Sequence, residues 1–333
     1  MQKGISVVIP NYNGVQLFPH TLPTVFEALS TLQTPYEVLV VDDCSPDGSA
    51  DFLQKEFPDV RVISNEKNSG FVLTANRAVR NAQYDIVLLL NSDVQLTPHY
   101  FNNQLKYFDR DDTFGVMGRI IGWDDNIIQD GAKYPSFHGV KMKTSGNYLL
   151  ENEEEMKNGL YSMYLSGANA LLDKNKFLEM GGLNESFAPI YVEDYELSLR
   201  AWRLGWKCYY EHNSICRHKA STTMRSKEKE NYVKKIYNRN KMYLHAIHLS
   251  KGQRTLWMIQ LVAETLVQTI LLKMFFLKGF ILFVNNYDRV KSSRKNLVQV
   301  AAGKKLLSVK EVADFILDSV KGKKFRRFLS GQG

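Results

Sequence analysis

Four short apolar runs, ISVVIP (5–10), EVLVVDD (37–43), VRVISN (60–65) and DIVLLLNSD (85–93), recur through the first part of the chain, with helix-like stretches near 14–32, 47–57 and 70–83 between them. The runs are continuous and β-branched rather than alternating, as strands buried on both faces require. Strands that alternate with amphipathic helices specify βαβ crossovers, and so an α/β chain built on a mostly parallel sheet flanked by helices. Each run ends in polar residues: Asn11 and Asn13, Asp42 and Asp43, Asn65, then Asn91 and Asp93. Open α/β sheets bind ligands beyond the carboxyl ends of their strands, so four strands send polar groups to one binding edge.

A chain of 333 residues fits one large domain or two. With 44% hydrophobic and 23% charged residues, it is neither disordered nor wholly membrane-embedded. The apolar stretch at the start stops at Pro10 and no small-residue cleavage site follows, so a cytoplasmic location is expected. Three cysteines, Cys44, Cys208 and Cys216, are too few and too scattered for a disulfide framework, which fits a reducing compartment. The net charge of +8 gathers in the tail, where Lys304, Lys305, Lys310, Lys321, Lys323, Lys324, Arg326 and Arg327 outnumber Glu311, Asp314 and Asp318. An anionic membrane surface accounts for such a tail, and no nucleic-acid partner is needed.

The stretch 120–160 is loop-rich, and its acidic run ENEEE (151–155) is expected to be a solvated surface. YSMYLSGANALLDK (161–174) reads as a strand, KFLEMGG as a short helix stopped by Gly181 and Gly182, and VEDYELSLRAWRLGW (192–206) as a helix stopped by Gly205. These divisions suggest a catalytic domain over 1–225, with halves of about 1–120 and 121–225, and a helical amphipathic region over 226–333. Within 257–284, Glu264, Lys273 and Lys278 interrupt an apolar stretch that would otherwise supply the ~20 residues of a membrane span. A helix pair lying in the membrane interface, helped by the basic tail, is the expectation. A helical hairpin packed on the catalytic domain or within a homodimer is the other reading of the same pattern.

Three places carry carboxylates. Asp42 and Asp43 end the second strand, where they can accept hydrogen bonds from a base or a sugar, or simply cap the helix that follows. Asn91, Ser92 and Asp93 end the fourth strand, where a turn and a Mg²⁺ or Mn²⁺ ligand are alternatives. Glu193 and Asp194 open a helix, where capping by the macrodipole competes with a catalytic role.

The order and content of these segments resemble the family-2 inverting glycosyltransferases of GT-A fold, particularly the rhamnosyltransferase-like members that build bacterial surface polysaccharides. The likeness runs from residue 5 to about 220, with some through NRNKMYLHAIH near 240. It rests on Pro10-Asn11-Tyr12-Asn13, on VVDDCSPDGS (40–49), on Asn68, Gly70, Phe71 and Asn76 in the N-x-G-F-x-x-x-x-N stretch, on the NSD triplet, and on the ED pair of 193–194. The resemblance implies donor binding by Pro10, Asn11, Tyr12, Asn13, Asp42, Asp43, Gly70, Asn76, Asn91 and Ser92. It implies close backbone approach at Gly167 and Ala168. It further implies Mg²⁺ or Mn²⁺ on Asp93, with His218 completing the shell, and Asp194 as general base, with Glu193 its rival or an orienter of the acceptor. The NSD form replaces the first carboxylate of the more usual DxD.

The function so implied is inverting transfer of rhamnose or a hexose from a dTDP- or UDP-linked donor to a lipid-linked or polysaccharide acceptor, at the inner face of the cytoplasmic membrane. A non-catalytic nucleotide-sugar scaffold is the rival, opposed by the intact Asp43, Asp93 and Asp194. A dinucleotide enzyme is disfavoured because no G-x-G-x-x-G follows the first strand, and a nucleotidyltransferase because no Gly-rich, Arg-containing loop follows Ile9.

Overall fold

The structure is a computed structural model that describes residues 4–143, 146–219 and 227–329. The four apolar runs form β1 (Ile5–Asn11), β2 (Tyr36–Asp42), β3 (Val60–Ser64) and β4 (Ile86–Leu90), joined by α1 (Phe18–Ser30), α2 (Ser49–Glu56) and α3 (Phe71–Asn81). They lie in the order β3-β2-β1-β4, all parallel, with Asn11 level with Asp42. Successive residues of β1 serve opposite faces. Val7 and Ile9 join the apolar cluster holding Phe18, Leu22, Val25 and Leu29 of α1, whereas Val8 joins the one holding Val72, Ala75 and Val79 of α3. Helices on both faces cover the sheet, which is why its strands carry no polar alternation.

After β4 come β5 (Val94–Leu96), β6 (Thr113–Gly122), β7 (Ile128–Asp130) and β8 (Ala132–Lys133). A small hairpin of β9 (Phe137–His138) and β10 (Lys141–Met142) leads to β11 (Asn147–Leu150), β12 (Leu160–Tyr161) and β13 (Asn169–Asp173). Then follow α4 (Lys174–Glu179), α5 (Glu193–Arg203) and β14 (Lys207–His218). Strand β13 inserts antiparallel between β4 and β6, and β14 runs parallel to β6. The expected run of 161–174 is thus strand only at its ends. Between them, the Leu165 N–H goes to Ser198 Oγ at 3.0 Å and the Ser166 N–H to Met117 Sδ at 3.3 Å, so side chains replace the ladder. The acidic run 151–155 is exposed throughout.

Helices α6 (Lys227–His248), α7 (Lys251–Ile270), α8 (Met274–Asn285), α9 (Tyr287–Val300) and α10 (Val309–Ser319), with a last strand β15 (Phe325–Phe328), complete the chain. The apolar stretch of 257–284 is broken by a turn at Leu272, whose φ is +58°. No helix among the described residues is long and apolar enough to cross a membrane. Trp257, Leu261, Phe276 and Phe283 are buried, and α8 packs along α6. The tail is built into the protein rather than loose. Phe315 of α10 packs on Tyr161 and Trp202, β15 pairs antiparallel with β11, and Phe325 stacks on Tyr134. The expected boundary at 225 and 226 touches residues outside those described.

A buried polar set ties α5 to α6. Glu196 and Arg200 pair at 2.8 Å, and His248 Nε2 lies 3.3 Å from Glu196. Burial would raise the Glu196 carboxyl, but Arg200 and His248 bring it below its usual range. Burial pushes His248 down to about 4, so the neutral ring donates from Nε2 to Glu196 and accepts at Nδ1 from Arg203.

Candidate active site

The polar ends of β1 and β2 brace one another. Asn11 Nδ2 donates to Asp42 Oδ1 at 2.7 Å, while Asp42 accepts from the Ser45 backbone at 2.9 Å and its hydroxyl at 2.6 Å. Asn11 Oδ1 is buried with no hydrogen-bond partner among the described residues. Asn13, at φ +60°, donates its N–H to Ser45 Oγ, and Tyr12 beside it is 52% exposed. Asp43 accepts from Asn65 Nδ2 and from the backbone N–H groups of Ser69 and Gly70, at 2.7 to 2.8 Å. It thereby fixes the N-terminus of α3, where a carboxylate is favoured. Pro10 lies in the β1 ladder, level with Val41.

Gly70 needs its lack of a side chain, because φ is +84° and a Cβ would stand 2.8 Å from Pro189. Asn76 lies beneath the cleft rather than on it. It is fully buried, and its amide clasps the backbone of Leu183 from both sides, at 2.9 and 2.8 Å.

The NSD triplet is a turn, not strand. The Asn91 N–H donates to the Ala168 carbonyl at 3.1 Å, and its own carbonyl accepts from Val94. Ser92 is half-buried in this turn. Pairing of β5 with β14 sets His218 opposite Val94, and so brings His218 Nε2 to 3.5 Å from Asp93 Oδ1. That oxygen is buried and accepts no hydrogen bond from the described residues. His218 Nδ1 faces Gln129 Oε1 at 3.1 Å, and the same amide donates from Nε2 to the His218 carbonyl. Since Oε1 can only accept, Nδ1 donates to it, and the other ring nitrogen, Nε2, is the one turned toward Asp93. A buried carboxylate oxygen that accepts no hydrogen bond from the described residues, with an imidazole nitrogen turned toward it, fits a hard divalent cation, which takes few protein ligands and shares the rest with phosphates. No larger group of His, Cys, Asp or Glu suited to a metal occurs among the described residues.

Across the cleft, α5 begins abruptly. Tyr191 and Val192 have φ of +78° and +70°, and this tight entry is held from α6: Asn240, fully buried, faces the carbonyls of Phe187, Ile190 and Tyr191 at 2.7 to 3.0 Å. Asp194 accepts from the N–H of Tyr195 at 2.7 Å and from that of Gly167 at 3.3 Å. Leu89, Leu165, Leu172 and Leu197 wall it and Glu193. Burial raises the Asp194 carboxyl above its usual range, opposed by those two N–H groups and by Lys133. Glu193 is driven well up by burial and then by the Asp194 charge, and one of its oxygens has no partner among the described residues.

Sequence reading passed over Gln129, Asp130 and Lys133. Lys133 is buried, bonded to Asp130 and to Asn147 Oδ1, and lies 5.1 Å over the ring of Tyr164, which stacks on Tyr195. Burial lowers its amine to about 7, against the pull of Asp194. The five residues from Gln129 to Lys133 therefore serve both sides of the cleft, Gln129 by turning His218 and Lys133 by facing Asp194.

Parallel strands flanked by helices and closed by an inserted antiparallel strand are the arrangement of a GT-A-type fold. The chain belongs to the family described as Glycosyl transferase family 2, whose profile matches residues 6–177. Among its relatives is the Bacillus subtilis protein named putative teichuronic acid biosynthesis glycosyltransferase TuaG, 25% identical over 63% of this chain and 88% of that one. Another is the Mycobacterium tuberculosis N-acetylglucosaminyl-diphospho-decaprenol L-rhamnosyltransferase, 26% identical over 58% of this chain and 70% of that one.

Two solved structures share the fold. GalNAc-T7 with UDP, GalNAc and Mn²⁺ superposes with a TM-score of 0.59 at 14% identity, over 92% of this chain but only 58% of that longer one. The Pyrobaculum calidifontis mannosyltransferase with GDP-Man and Mn²⁺ gives 0.53 at 15% identity, over 97% and 82%.

Removing the clamp on the α5 entry tests how that end is held. Asn240→Ala would leave the carbonyls of Phe187, Ile190 and Tyr191 without their donor, at a cost of about 1–3 kcal/mol. A clear fall in melting temperature by scanning fluorimetry is expected; an unchanged value would show that the loop holds its own shape.

Proposed function

We propose that this chain is an inverting transferase that moves rhamnose or a hexose from a dTDP- or UDP-linked donor to a lipid-linked or polysaccharide acceptor at the inner face of the cytoplasmic membrane. One observation carries the reading: the two-residue backbone Gly167–Ala168 hydrogen-bonds Asp194 on one side and Asn91 on the other. The base and the NSD turn thus flank a single short stretch, the separation that a sugar between a hydroxyl and a diphosphate demands. In this reading residues 1–225 carry the chemistry, and residues 226–333 brace it.

Asp93 and His218 would hold Mg²⁺ or Mn²⁺, which when bound offsets the charge gathering on the departing diphosphate. Asn91 and Ser92 would orient the donor, while Asn11, Asn13, Asp42 and Asp43 shape the loops around its nucleotide, with Tyr12 exposed for stacking. Asp194 would remove the proton from the acceptor hydroxyl as its oxygen attacks the anomeric carbon from the face opposite the leaving group. The C–O bond to the acceptor forms, the bond to the diphosphate breaks, and configuration inverts. A carboxylate in apolar surroundings is a stronger base than one in water, and Lys133 keeps enough of it ionised to act. Glu193, driven toward its neutral form, would donate a hydrogen bond to the acceptor.

Asp194→Asn should lower kcat by ~10²- to 10⁴-fold with nucleotide affinity retained; equal loss of both would mean that the residue only supports the fold. Asp93→Ala should abolish the Mn²⁺-dependent rise in melting temperature given by UDP or dTDP, and a persisting rise would remove Asp93 from the metal site. Replacing Lys133 takes away a positive charge that favours ionised Asp194. The Lys133→Met variant should therefore show the acid limb of kcat/KM displaced to higher pH, and an unmoved limb would separate Lys133 from the base.

A further inference from the structure

Helix α7 has two apolar faces, and the protein covers one of them. Trp257 and Leu261 are buried at four-residue spacing, while Leu256, Ile259, Leu266, Val267 and Ile270, on the opposite side, are 52 to 79% exposed. The turn into α8 continues the exposed side, with Leu271 at 57% and Leu272 at 82%. In α8 itself, Phe276, Gly279 and Phe283 pack inward, and Ile281 and Val284 point out. Single exposed leucines need no explanation, but a contiguous apolar edge along two helices and their turn marks a contact surface.

The charges say with what. Between 251 and 285 the ionisable side chains are Lys251, Arg254, Lys273, Lys278 and one acid, Glu264. Both oxygens of Glu264 are taken by Lys141 Nζ, at 2.7 and 2.6 Å. The hairpin therefore presents apolar side chains rimmed by cations, with its single carboxylate neutralised from within. A second copy of the same face would set lysine against lysine, whereas phosphate headgroups complement it.

We propose that the α7–α8 hairpin docks on an anionic phospholipid bilayer, its apolar edge entering the acyl boundary with Leu271 and Leu272 leading and Lys273 and Lys278 meeting the headgroups. This hairpin supplies the apolar edge of the docking surface, since α10 packs on Tyr161 and β15 pairs with β11. The proposal does not depend on the chemistry at Asp194.

The full chain should co-sediment with vesicles containing phosphatidylglycerol, less with pure phosphatidylcholine, and less again as salt is raised. Ile270→Glu with Leu272→Glu, at exposed positions, should leave the melting temperature unchanged and weaken vesicle binding about tenfold or more. Lys273→Glu with Lys278→Glu should weaken binding to the anionic vesicles selectively. Failure of the unaltered chain to bind either vesicle would overturn the proposal. So would undiminished binding of the Glu variants. A dimer in sedimentation velocity that Ile270→Glu with Leu272→Glu converts to a monomer would overturn it in favour of a second copy as occupant.

Discussion

The register between β13 and β4 is the constraint on which the site depends. Asn169 stands opposite Leu90 and the two strands run antiparallel, so the chain entering β13 passes beside the chain leaving β4. A parallel strand in that position would have put its entry at the far end of the sheet. Because it is reversed, Gly167 and Ala168 arrive at the same edge as Asn91, Ser92 and Asp93, and the two halves of the molecule meet in backbone hydrogen bonds rather than through long side chains. Such contacts keep their geometry when surface residues change.

Around that seam several buried charges answer one another, while Glu193 keeps one oxygen without a partner among the described residues. Asp194 has two N–H donors and Lys133 within electrostatic reach; Lys133 has Asp130 and Asn147. Glu196, two residues along α5, is held below its ordinary range by Arg200 and His248, whereas Glu193 is pushed far above it. One short helix thus carries three acids whose environments drive them apart, and only those at its N-terminal end open toward the cleft. Separation of this sort lets neighbouring carboxyls take different tasks at one pH.

Much of this was legible in the residues. The continuous apolar runs announced a sheet covered on both faces, and the strand-end residues announced a polar edge, because both signals are local. Gln129 and Lys133 were not legible, since strands of two or three residues leave no periodicity and both side chains act on partners far along the chain. Asn76 read as a pocket residue from its motif, yet its amide is spent on the backbone of Leu183. The tail read as a basic aid to membrane contact, because charge counts do not reveal that Phe315 packs on Tyr161 and Trp202 or that Phe325 stacks on Tyr134.

The pairing of β15 with β11 bears on how the chain is made. Tyr148 lies opposite Arg327, so residues in the middle of the sequence find their ladder partner near its far end. During synthesis the sheet of β1 to β4 can close as soon as its helices emerge, but β11 keeps an open hydrogen-bonding edge until residue 328 has left the ribosome. The nascent molecule therefore passes through an interval in which the sheet of β1 to β4 is formed and β11 still carries an unpaired edge. An unpaired strand edge of this kind favours pairing with other chains.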